Sequence, residues 1–158
     1  MTDPIEVLME EHKEVLATVN SITNLQKELK DSPGETVPKL KELIERLGRD
    51  FDIHSLNKEE KALFPAMESF IPRDEGPIGV MINEHVELVK RIQDFKEALG
   101  AGNYDQAIEA GSYITSVIPD HIYKEDNILY NMARMHLTSE DMDGIYRKML
   151  EFEKERKS

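Results

Sequence analysis

Residues 54–65 read HSLNKEEKALFP and residues 121–130 read HIYKEDNILY. Each begins with a histidine, continues through Lys-Glu and a second acid, and ends in an apolar run. Two further stretches flank them: residues 9–16 read MEEHKEVL and residues 82–89 read INEHVELV. The order along the chain is a lone Glu-His, then His with Lys-Glu-acid, twice over. The chain therefore contains an internal repeat of two units, and a duplicated pair of helices builds one site between its copies.

Working outward, the spacing of apolar residues around all four stretches is helical. Ile5, Leu8, Met9, His12, Val15, Leu16, Val19 and Ile22 recur at intervals of three and four, as do Ile82, His85, Leu88, Val89, Ile92 and Phe95. No alternation of period two is present, so no strand is expected. Turn signals at Asp31-Ser32-Pro33-Gly34, at Ile71 to Pro77 and at Gly100 to Asn103 delimit segments of about 3–31, 36–71, 74–100 and 103–136. Thr138-Ser139-Glu140-Asp141 reads as a helix start with a hydroxyl cap and acids in the first turn. Pro65 and Pro119 lie inside expected helices and should bend or break them. The expected fold is all-α: an antiparallel up-down four-helix bundle over residues 1–136, with a short extra C-terminal helix in 137–158 that caps the bundle.

Composition narrows the function. The 158 residues hold 20 Lys plus Arg against 32 Asp plus Glu, a formal charge of −12. Such a chain lacks the basic face that nucleic acid requires. The absence of cysteine excludes disulfides, thiolate zinc sites and iron–sulfur ligation. The first sixteen residues lack the basic and apolar regions of a signal peptide, and no run is long enough to span a membrane. A cytoplasmic protein is expected.

Four of the five histidines, His12, His54, His85 and His121, fall one per helix in the apolar stripes. A single histidine in such a stripe is usually an ordinary packed residue. Four in one dry core, two of them followed by a carboxylate, need a shared partner, because an unpaired polar group there is costly. A metal supplies it. His121 and Glu125, four apart, differ by about 40° on a helix and share a face. His54 and Glu59, five apart, differ by about 140° on an ideal helix and do not. A local π-bulge would absorb the extra residue. Asp126 is the alternative to Glu125. Glu60 and Asp126 are otherwise expected to point elsewhere, and Glu11 and Glu84 read either as outer partners of the imidazoles or as solvated surface acids. His136, outside the repeat, reads as a helix-end residue. Two equal half-sites suggest two metals bridged by carboxylates, and nitrogen and oxygen donors without sulfur suit iron or manganese, with zinc also possible.

On these residues the chain resembles the hemerythrin-like, or HHE cation-binding, family over about residues 3–136. The resemblance implies a four-helix bundle with two iron ions in an oxo- or hydroxo-bridged centre. It implies His12, His54, His85 and His121 as terminal ligands and Glu59 and Glu125 as bridges. Oxygen-carrying members place another histidine four residues after the one on the third helix, where this chain has Val89. The implied function is binding or sensing of O2 or another small diatomic or peroxide ligand. An enzyme that reduces peroxide, O2 or nitric oxide, or an iron-handling or repair protein, is the alternative. Its redox partner is not encoded in any motif. Met81, Leu88 and Val89 are candidate pocket walls; Tyr123 and Tyr130 could donate a hydrogen bond or an electron to a bound species, but read first as packing residues.

Overall fold

The computed structural model describes residues 2–157. Met1 and Ser158, the outer limits of the two expected segments, lie outside the described residues. Helix α1 spans Pro4–Gln26, with Asp3 accepting a hydrogen bond from the Ile5 N–H at 2.9 Å and Pro4 in the first turn, where its missing N–H costs nothing. Helix α2 spans Pro33–Phe51 and runs directly into a π-helical segment, π1, at Asp52–Leu63, followed by the short α3, Phe64–Met67. Helix α4 spans Gly76–Ala101. It ends on Gly102, whose φ of 74° is the left-handed conformation that glycine adopts without strain. Helix α5, Tyr104–Lys124, is capped by Asn103 and passes into a second π segment, π2, at Glu125–Leu129. Helices α6, Tyr130–His136, and α7, Ser139–Lys157, complete the chain. Among the described residues there is no strand.

Cross-helix pairs fix the topology. His12 meets Asp126 while Gln26 meets Ser112, so α1 and α5 run in opposite directions. His85 meets Glu60 while Lys96 meets Glu45, and His121 meets Glu84 while Arg91 lies over the Tyr113 ring. The four long rods thus form an up-down bundle. The first rod ends earlier than the expected residue 31, in turns after Gln26. Pro119 does not break its helix: α5 continues to Lys124. Pro65 falls in the first turn of α3, just past π1, where proline is tolerated.

Apolar side chains form two clusters. One, at the far end, is built on Val19, Ile22, Leu40, Ile44, Leu47, Phe95 and Ile114. The other holds Ile5, Leu8, Phe64, Met67, Met81 and Tyr130, together with Ile145 and Met149 of α7. The expected cap on α7 is present as a reciprocal pair, Asp141 N–H to Thr138 Oγ1 and Thr138 N–H to Asp141 Oδ2. In every rod the histidine lies between a residue of one cluster and a residue of the other, as His12 does between Leu8 and Val19. The imidazoles therefore form a polar layer sealed at both ends.

Gly111 is where α5 approaches its neighbours most closely. A Cβ there would lie 2.7 Å from Phe95 Cε2 and against Gln26 Oε1. Gly111→Ala is expected to lower stability by about 1–3 kcal/mol through overpacking, read as a lower urea midpoint. An unchanged midpoint would show that the helices have slack there.

Candidate metal centre

The two π segments build the centre. In a π turn the backbone bonds from residue i to i+5, so residues five apart become neighbours. The N–H of Phe64 donates to the carbonyl of Glu59, and the N–H of Tyr130 donates to the carbonyl of Glu125. π1 therefore brings Glu59 onto the face of His54, which an α-helix would not. The bulge inferred from the spacing is present, longer than a single turn. The second π segment had no sequence signal, because His121 and Glu125 already suit an α-helix.

His12, His54, His85, His121, Glu59 and Glu125 are all buried. They fall into two groups, His12, His54, Glu59 and Glu125, and His85, His121, Glu59 and Glu125, in each of which one donor atom per residue lies within 4.8 Å of every other. Both groups contain both carboxylates. All six residues singled out in the sequence meet in one place. His136 does not join them; it is exposed at the end of α6, its ring 4.7 Å from that of Phe70.

Each imidazole is oriented by a carboxylate from an adjacent rod. His12 Nδ1 donates to Asp126 at 2.7 Å, His54 Nδ1 to Glu11 at 2.9 Å, His85 Nδ1 to Glu60 at 2.6 Å and His121 Nδ1 to Glu84 at 2.7 Å. A carboxylate only accepts, so Nδ1 carries the proton and Nε2 is left as the inward donor. Glu60 and Asp126 thus lie outside the inner layer, as expected, but not idle in solvent: each holds a histidine. Of the two alternatives, Glu125 lies in the buried layer and Asp126 is engaged with His12. The pattern that could have revealed this is an acid after each glutamate and an acid before each lone histidine. Tyr130 is also more than a packing residue. It is fully buried and donates to Glu59 Oε2 at 2.6 Å. Tyr123 is 63 % exposed. Val89 is 43 % exposed and lines a surface groove with Phe51 and Ile92, so it walls no inner pocket, whereas Met81 and Leu88 are buried.

The inner faces of these residues are under-bonded. His12 Nε2 and His121 Nε2 each lie 3.2 Å from Glu125 Oε1, but with the proton on Nδ1 neither has one to donate. Glu59 Oε1 and both oxygens of Glu125 have no hydrogen-bond partner; the one other such buried oxygen among the described residues is Gln26 Oε1. His85 Nε2 and His121 Nε2 face each other at 3.2 Å. Each unpaired buried oxygen costs about 1–3 kcal/mol, more if charged. Orphaned carboxylate oxygens opposite inward imidazole nitrogens are the arrangement a cation resolves, and the donor chemistry fits one.

Without a cation, protons take its place. Burial opposes charge on His12, but the hydrogen bond to Asp126 and the contact with Glu125, with the charges of Glu125 and Glu59, raise its pKa to about 10. Burial likewise opposes charge on His121, and the charge and contact of Glu125 with the Glu84 bond raise it to about 10. For His85, burial is outweighed by Glu59 and Glu60, giving about 9. Burial and the charge of Glu125 push Glu59 up. Burial also acts upward on Glu125, but the charge of His121 and contacts with Glu59, His12 and His121 hold it well below the usual carboxylate range.

The hemerythrin HHE cation-binding domain profile matches residues 3–133. The chain belongs to the hemerythrin HHE cation-binding family. Its buried His and Glu cluster could hold a cation, as a domain of this family requires. No curated protein and no solved structure matches the chain. No helix among the described residues is long and apolar enough to cross a membrane.

The raised histidine values carry a prediction. Their stabilising contribution is full below the unfolded value of about 6.5 and is lost as pH rises through about 9 for His85 and about 10 for His12 and His121. The Tm of the metal-free chain should therefore fall between pH 7 and pH 10, as the same histidines deprotonate. A flat or rising profile would show that the imidazolium charges do not hold the layer together.

Proposed function

We propose that the protein is a non-haem di-iron protein that binds O2 or a related small ligand, such as nitric oxide or peroxide, in its bundle core. The observation that carries this reading is the pair of four-donor groups sharing both carboxylates. His12 and His54 would hold one ion, His85 and His121 the other, and Glu59 and Glu125 would span the two. Iron in this setting supplies reversible one-electron chemistry and a coordination position open to a small molecule. A donor set of imidazole and carboxylate without sulfur suits it.

The chain supplies the rest. The four carboxylates at Nδ1 fix ring orientation and raise the basicity of Nε2. Phe51 meets the His85 ring edge-on at 5.4 Å and Phe64 stacks on it at 6.2 Å, so one half of the layer has apolar walls that exclude water. A cleft of about 30 Å³, bordered by Glu11, Glu14, Asp50, Ile53, His54 and Arg156, reaches a ligand histidine.

Metal-free protein loaded anaerobically with ferrous iron is expected to retain about two irons per chain after gel filtration, as carboxylate-bridged bundle centres do. Its visible spectrum should change on exposure to O2 or nitric oxide. Reversal under argon supports binding or sensing; steady turnover with an added reductant supports the enzymatic alternative. Absence of stoichiometric iron would contradict the reading. Glu125→Ala should lose stoichiometric loading. Asp126→Asn should retain both ions with affinity reduced by about 10–100-fold, the usual effect of losing an outer partner. Equal effects of the two substitutions would contradict the roles assigned to them.

A further inference from the structure

One buried donor lies beside the carboxylates outside both four-donor groups. The Tyr130 hydroxyl, which donates to Glu59 Oε2 at 2.6 Å, is also 3.4 Å from Nε2 of His12 and 3.4 Å from Nε2 of His54. An oxygen equidistant from two inward nitrogens, and in contact with a third donor, occupies the place of a further donor to the same ion.

The repeat shows that this donor exists in one half alone. Lys58-Glu59-Glu60 aligns with Lys124-Glu125-Asp126, and five residues after each glutamate come Phe64 and Tyr130. Both are joined to their glutamate by the same π-type backbone bond. Both rings stack on the lone histidine of the opposite unit, Phe64 on His85 with 10° between planes and Tyr130 on His12 with 7°. Backbone, burial and stacking are duplicated, and the oxygen is not. A residue needed only to fill the space would do so as phenylalanine, as its counterpart does.

Building on the di-iron reading, we infer that Tyr130 binds, as its phenolate, the ion held by His12 and His54, so that the two metal positions are unequal. On coordination the phenol O–H bond breaks, the oxygen–metal bond forms and the proton passes to solvent. No electron is transferred. Glu59 Oε2 loses the hydrogen bond it accepts and becomes free to act as a donor. The position between His85 and His121, faced by Phe64, has no such oxygen and keeps the place for an incoming ligand.

The test is the spectrum of the full chain loaded with ferric iron, since tyrosinate is an established iron ligand and its complex with ferric iron absorbs in the visible, whereas a hydrogen-bonded phenol does not. Wild-type protein should show this band, and resonance Raman within it should show phenolate ring modes that shift when the protein is grown on ring-deuterated tyrosine. Tyr130→Phe should lose the band and the modes in the iron it retains. Two bound irons without phenolate modes, or a band unchanged in Tyr130→Phe, would overturn the inference and leave the di-iron reading standing. Failure of the wild type to load iron would overturn both. The isotope shift in the wild type decides the matter even where the variant does not fold.

Discussion

Four hydrogen bonds between imidazole and carboxylate form a closed ring around the bundle, and the rest of the structure depends on it. His12 reaches from the first rod to Asp126 of the fourth, His54 from the second to Glu11 of the first, His85 from the third to Glu60 of the second, and His121 from the fourth to Glu84 of the third. Each bond fixes one imidazole and ties two helices at the same height. The ring turns every Nε2 inward, toward Glu59 and Glu125. Two carboxylates in a dry core are tolerable only if something positive lies among them. Imidazolium charges serve that purpose in the metal-free chain, and cations serve it when bound.

The ring is nearly two-fold symmetric, and its departures from symmetry are informative. Lys58 and Lys124 are counterparts that brace Glu11 and Glu84, respectively. Lys124 is half-buried and also meets Asp120. Lys58 is fully buried because α7 lies over it, and Glu153 of that helix takes a second bond from its ammonium at 2.7 Å. Helix α7 thus adds a charge to the support of His54 as well as apolar cover through Ile145 and Met149. Tyr130 against Phe64 is the second departure, inside the layer. Both distinguish the His12/His54 half from the other.

The bundle was legible because its helices are long and their apolar periodicity is strong. The six inner residues were legible because histidines in apolar stripes violate the pattern that surrounds them. The i+5 spacing of His54 and Glu59 even signalled a π turn, since an α-helix could not satisfy it. What the sequence hid were features that obey local rules while serving distant partners. Glu60, Asp126, Glu11 and Glu84 look like any acids on helices of an acidic chain, and their partners are 25 to 114 residues away. The π segment after Lys124 was silent because the i+4 spacing before it suits an α-helix. Val89 sits in the stripe by periodicity but at its edge in space, and Tyr130 looks like core filling until the position of its hydroxyl is known.

The most direct test of this account is anomalous diffraction at the iron edge from crystals of the iron-loaded chain. The account predicts two iron positions in the layer, one contacting Nε2 of His12 and His54 and one contacting Nε2 of His85 and His121, both spanned by Glu59 and Glu125. Iron absent from the layer, or bound only at acidic patches on the surface, would contradict it.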